Sequence, residues 1–220
     1  MNKTLTEIIN SRKSIRAFLD KPVDNKVIEE MLKMASQAPS GGNLQPWKIY
    51  VINSSSMDKF INFQKKWKGK EEPPYPIYPE KLKEPYRTSR YEVGEEMYSL
   101  LGIKREDKVG RLNQMLKNFD FFGAPVGLFC FVDKQMGLPQ WSDLGMFLQT
   151  FMLLAVDQDL DTCAQESWSL KQNCVKEFLK VPDEYLLFCG MAIGYADKDN
   201  KINKLKTSRR PINDWATFVK

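Results

Sequence analysis

Apolar residues recur along this chain in two rhythms, one helical and one of strands, and their order lays out a fold. Leu5, Ile8 and Ile9 follow Thr4-x-x-Glu7, a capping-box spacing that predicts a short helix ending near Arg12. Asp24 is placed to cap a second helix, in which Val27, Ile28, Met31, Leu32, Ala35 and Ala38 recur at helical spacing. Pro39-Ser40-Gly41-Gly42-Asn43 stops it. Trp47–Ile52 and Val126–Val132 read as buried strands, rich in β-branched and aromatic residues. Asp143–Val156 is apolar nearly all round, as a central buried helix about 20 Å long would be. Leu160–Gln165 reads as a short strand and Tyr185–Tyr195 as a longer one. Between them Ser169-x-x-Gln172 has the spacing to cap a helix reaching about Lys180.

The stretch 53–119 has a different character. Met57–Trp67 is helical in pattern, EEPPYPIYPE is a Pro/Tyr loop, and Tyr91–Leu101 and Arg105–Asn118 are charged amphipathic segments. Its low apolar content marks a variable insertion inside one domain spanning 1–220. The whole reads as α+β around a single core, with no internal repeat and no low-complexity tract.

Composition narrows the chemistry. Histidine is absent from the 220 residues, which excludes Ser-His-Asp and Cys-His nucleophiles, His-ligated zinc and an imidazole base. An enzyme built this way takes its chemistry from a cofactor. Cys130, Cys163, Cys174 and Cys189 show no C-x-x-C spacing and sit in apolar or helical stretches, as reduced buried thiols do. No signal-peptide h-region opens the chain, and the apolar windows 123–132 and 144–156 are too short to span a bilayer, so the expectation is a cytoplasmic protein without membrane contact. The net charge of +5 is mild and gathers in Lys198–Arg210. It lacks the dense stripe and stacking aromatics of a nucleic-acid binder and suits a few anion-binding residues.

Two strings could supply them. In an extended segment Arg12, Ser14 and Arg16 share one side, two guanidinium forks and a hydroxyl suited to phosphate; as a helix end the same residues would be a solvated basic turn. Ala38-Pro39-Ser40-Gly41-Gly42-Asn43-Leu44-Gln45-Pro46-Trp47 offers close backbone approach and short polar arms, without Walker A or dinucleotide spacing.

Together these strings resemble the nitroreductase family of FMN-dependent oxidoreductases. FFGAPVGLFCFVD, WSDLGMFLQTFMLLA, LDTCAQESW, CGMAIGYAD and SRRP follow in the family's order, and the match covers about 12–52 and 120–215. The insertion is similar to that of a subgroup associated with nitroaromatic carboxylates such as nitrobenzoate.

The resemblance implies a central mixed or antiparallel sheet, helices around a long buried helix, and FMN at the interface of a homodimer. It implies that Arg12, Lys13, Ser14, Arg16 and Arg209 hold the phosphate and ribityl end, with Arg210 adjacent. Pro39, Ser40, Gly41 and Asn43 would reach the flavin from the partner subunit, and Gln165 and Glu166 would lie against its ring. Ser167 stands where many relatives carry glycine. The implied activity is ping-pong hydride transfer from NAD(P)H to nitroaromatics, quinones or similar small acceptors, with no side-chain acid or base. A flavin reductase, another reductive flavoenzyme of this fold, or a protein that sequesters FMN are the alternatives. Trp67, Tyr75, Tyr78 and Tyr86 would either cover the acceptor or pack the insertion loop.

Overall fold

The local signals near the N-terminus become elements by the means their residues suggest. In the computed structural model, which describes residues 3–219, helix α1 (Leu5–Ser11) opens on a reciprocal box. Glu7 N–H donates to Thr4 Oγ1, and the Thr4 N–H donates to the Glu7 carboxylate over 2.7 Å. Helix α2 (Asn25–Ala35) is capped by Asp24, which accepts from the Lys26 N–H over 2.9 Å.

Four strands follow, interleaved with helices: β1 (Lys48–Asn53), α3 (Ser55–Lys66), α4 (Tyr86–Leu100), α5 (Lys108–Leu116), β2 (Val126–Asp133), α6 (Leu138–Asp157), β3 (Asp161–Gln165), α7 (Gln172–Leu179) and β4 (Tyr185–Gly194). The strands form one sheet in the order β1-β2-β4-β3, and every pairing is antiparallel. Of the two sheet types expected, the antiparallel one is realised; the only parallel contact among the described residues is a single bridge between Ser14 and Thr162.

Strand β2 is buried on both faces, and this explains its near-continuous apolar run. Val126, Leu128, Cys130 and Val132 enter a core with Ile28 and Met31 of α2 and Leu144, Phe147 and Phe151 of α6. Phe129 and Phe131 enter a second, aromatic core built around Trp168, with Phe60 of α3 and Phe121. The Trp168 ring lies 4.6 Å from Phe121 and 5.1 Å from Phe129, centroid to centroid. Helix α3, at the start of the expected insertion, thus belongs to this core through Met57 and Phe60. Helices α4 and α5 stand outside it. Arg111 of α5 clamps Glu95 of α4 with two hydrogen bonds of 2.7 and 3.1 Å.

Two expectations are corrected. Helix α6 begins at Leu138, five positions before Asp143, because Pro139 suits a first helical turn and Gln140 accepts the Gly137 N–H. Ser169 does not cap α7: its hydroxyl donates to Glu166 O inside a 3-10 turn. The free N–H groups of Asn173 and Cys174 go to the Glu71 carboxylate, from the loop a hundred residues earlier. Among the described residues no helix is long and apolar enough to cross a membrane.

Candidate functional site

The chain leaves α1 at Arg12 with φ −58° and ψ 123°, an extended conformation. Ser14 then bridges to Thr162 on the edge strand β3, and the Ile15 N–H donates to Thr162 O over 3.0 Å. Extended backbone sends successive side chains to opposite sides. Ile15 is therefore buried, while Arg12, Ser14 and Arg16 line a cleft of about 840 Å³. The extended alternative for this string is the one realised. Leu205, Lys206, Thr207 and Arg209 from the C-terminal tail form the facing wall, and Gln149 of α6 contributes to the lining. Lys13 stands where this cleft meets a second cavity, beside Ile15, Asp161 and Tyr195.

Five cations and no carboxylate line the cleft: Arg12, Lys13, Arg16, Lys206 and Arg209. Among the described residues none of the five makes a salt bridge. Arg16 reaches only Ser14 O, and Arg209 reaches Thr207 and Ser208 of its own tail. Burial pushes the Cys163 thiol up, but the field of Arg16 and Arg12 acts in the opposite direction there. A concentrated positive field with forked donors and no carboxylate in its lining is chemically suited to a phosphate-like anion.

The remaining residues implied by the resemblance lie elsewhere on the chain. Pro39, Ser40, Gly41 and Asn43 do not line the cleft. Their loop is tied to α6 by the Gly41 N–H, which donates to Asp143. Gln165 ends β3, three residues from Thr162 or about 10 Å along the strand. Its side chain turns inward, donating to Asn118 O over 2.8 Å and accepting from Trp168 Nε1. Glu166 follows at the surface, and partial burial raises its carboxyl above the ordinary range. The insertion aromatics divide. Trp67 donates to Glu177 and Tyr75 to Phe188 O, so both are docked against the core; Tyr78 and Tyr86 are exposed beside Arg90 and Arg210.

Sequence reasoning missed Gln149, Lys206 and Thr207. Lys206 lay within the basic stretch already noted, but only chain closure brings it opposite Arg12. Gln149 carried a signal: with Thr150 it interrupts the apolar run from Leu144 to Val156.

An α+β fold with a cationic cleft at a sheet edge suits the class of proteins that take a phosphate-bearing small molecule. The particular family is given by comparison: residues 9–195 match the model of the nitroreductase family, and the chain belongs to that family. It is 35% identical over 215 residues to a 4-nitrobenzoate reductase of Pseudomonas putida, covering 96% of this chain and 94% of that one. It is 33% identical over 219 residues to a nitrobenzene nitroreductase of Ectopseudomonas oleovorans, covering 98% and 96%. Among solved structures, an FMN- and NADPH-dependent nitroreductase from Sphigopyxis sp. strain HMH superposes with a TM-score of 0.94 at 38% identity, covering 99% of this chain and all of that one.

Proposed function

We propose that this protein is an FMN-dependent oxidoreductase that uses NAD(P)H to reduce nitroaromatic acceptors, nitrobenzoate-type compounds among them. The observation that carries the reading is the cleft of Arg12, Ser14, Arg16 and Arg209, whose cations have no protein carboxylate to pair with. The fit to FMN is chemical: a phosphate takes up bidentate guanidinium and hydroxyl donors, and the tail lysine adds charge. FMN, when bound, supplies hydride transfer between the nicotinamide donor and the acceptor.

The chain's own part is to bind and orient. Arg12, Lys13, Ser14, Arg16 and Arg209 would hold the anionic end of FMN, and Gln165 and Glu166, at the end of the adjacent strand β3, would serve its ring. No proton has to pass through an imidazole, in keeping with a chain without histidine.

The functional unit in this reading is a homodimer. On one chain Pro39–Asn43 sits away from the cleft, the Met146 side of α6 is open, and Phe218 of the tail is 79% exposed. A second copy would cover these surfaces and bring its 39–43 loop to the flavin. Four buried thiols and the lack of a membrane-crossing helix among the described residues favour a cytoplasmic setting.

The test is the visible spectrum of the purified protein, followed anaerobically as NADPH or NADH and then 4-nitrobenzoate are added. A flavin band that bleaches with the nucleotide and returns with the nitro compound is expected. Absence of a flavin band after reconstitution with FMN would overturn the reading.

A further inference from the structure

The cationic cleft is assembled from two ends of the chain, and one side chain joins them. Asn203, on the 3-10 turn Lys201–Lys204, is buried just ahead of Lys206 and Arg209. Its Oδ1 accepts the Arg16 N–H over 2.8 Å, from 187 positions earlier in the sequence. Its Nδ2 donates to Ala17 O over 2.8 Å and to Asp197 O over 2.9 Å. The neighbours fix the amide's orientation: one backbone donor needs the oxygen and two carbonyls need the two N–H groups. Just ahead of the tail the Asp197 N–H donates to Ala17 O over 3.0 Å and Phe18 bridges to Ala196, but among the described residues no hydrogen bond other than those of Asn203 links 12–17 with 200–209.

A guanidinium fork grips a phosphate only when its position is held to a fraction of an ångström, and such groups depend on the hydrogen bonds behind them. Arg16 and Arg209 have no partner across the cleft to fix that spacing themselves. We propose that Asn203 is the positioning residue that sets the distance between the two walls of the cleft, and that it thereby determines the preference for a phosphorylated flavin over the same flavin without phosphate. This rests on the flavin reading above. Asn203 touches no ligand; it acts through Arg16 and through the tail.

The experiment is fluorescence titration of flavin-stripped protein with FMN and, separately, with riboflavin. Asn203→Leu keeps the number and branching of side-chain heavy atoms, adds no charge and removes all three hydrogen bonds. FMN affinity should fall about tenfold or more, the scale of a lost hydrogen-bonded support, while riboflavin affinity stays as in the wild type. A purely structural role would lower the unfolding temperature and weaken both flavins alike; that result, or no change in either, overturns the proposal. Should Asn203→Leu fail to fold, Asn203→Ser carries the same comparison. Arg12→Ala separates this proposal from the reading beneath it. If Arg12→Ala collapses the FMN-over-riboflavin preference and the Asn203 variants do not, only the role of Asn203 fails. If Arg12→Ala leaves that preference intact, the phosphate site itself lies elsewhere and both fail.

Discussion

The backbone N–H of Gly41 donates to the carboxylate of Asp143 over 3.1 Å, tying the 39–43 loop to a helix a hundred residues later in the chain. Asp143 is buried, so the hydrogen bond is shielded from water and gains strength from the acceptor's charge. Asp143→Asn would preserve the shape but weaken the acceptor, and Asp143→Ala would leave the Gly41 N–H without its partner. The alanine variant is expected to cost about 1–3 kcal/mol of stability, read from the shift of a urea unfolding midpoint. In the dimeric reading the same variant also loosens flavin on the partner subunit.

Arg209 presents the simplest test of the cleft. Its guanidinium bonds only to oxygens of its own tail, so it is free to take an external anion. Arg209→Ala should weaken FMN binding by about 1.5–3 kcal/mol, the range of a charge-assisted contact. Fluorescence titration at low and high salt checks this: the loss should shrink as salt screens the wild-type interaction. An unchanged affinity would show that the tail does not reach the phosphate.

Gly190 shows how tightly the aromatic core is built. It lies on β4 between Phe129 and Gln165, and the Trp168 ring occupies the place where a Cβ would project. Trp168 is held by Phe60, Phe119, Phe121 and Phe129 and has nowhere to move. Gly190→Ala should therefore destabilise by about 1–3 kcal/mol through overpacking. Urea unfolding followed by tryptophan fluorescence measures the loss, and a shifted native emission would locate it at Trp168.

These relations separate what is legible in a sequence from what is not. The Thr4-x-x-Glu7 box and the Asp24 cap close within one turn, so spacing alone specifies them. Ser169-x-x-Gln172 has equally good spacing, yet the helix begins only at Gln172, and its second and third N–H groups, Asn173 and Cys174, go to the Glu71 carboxylate. The cap is a carboxylate folded in from a distant loop, and no local window contains it. The same division holds at the site. Arg12, Ser14 and Arg16 are readable because their alternation matches an extended chain. Lys206 faces them, and Asn203 supports Arg16 from behind, only once the tail has folded back on the N-terminal segment, and Pro39–Asn43, tied to α6 through Asp143, does not line the cleft on its own chain.

Thiol chemistry should follow burial. All four cysteines are buried, and burial pushes the Cys174 and Cys189 thiols up to about 12. The thiolate is the reactive form, so native protein near pH 8 should resist iodoacetamide, and denatured protein should take up the label at all four positions. Mass spectrometry of the two states checks it. Rapid labelling of one cysteine in the native protein would mark a segment that opens locally.

Glu166 gives a pH dependence whose sign can be fixed beforehand. Partial burial raises its carboxyl, and no cation offsets the cost of ionising it. Between the ordinary glutamate range and that raised value, the folded protein keeps a proton that the unfolded chain has released. Stability contributed by this group therefore falls as pH rises through that window, and the penalty is complete once the folded carboxyl has ionised. Glu166→Gln removes the charge and keeps the shape. In flavin-free protein the variant should melt at a higher temperature than the wild type near pH 7. Near pH 3, where both folded and unfolded glutamates are protonated, the two should melt together. Scanning calorimetry across this range reads the difference directly. A variant that melts lower near pH 7 would mean that the ionised carboxylate is stabilised in the fold, and would reverse the electrostatic assignment at the end of β3.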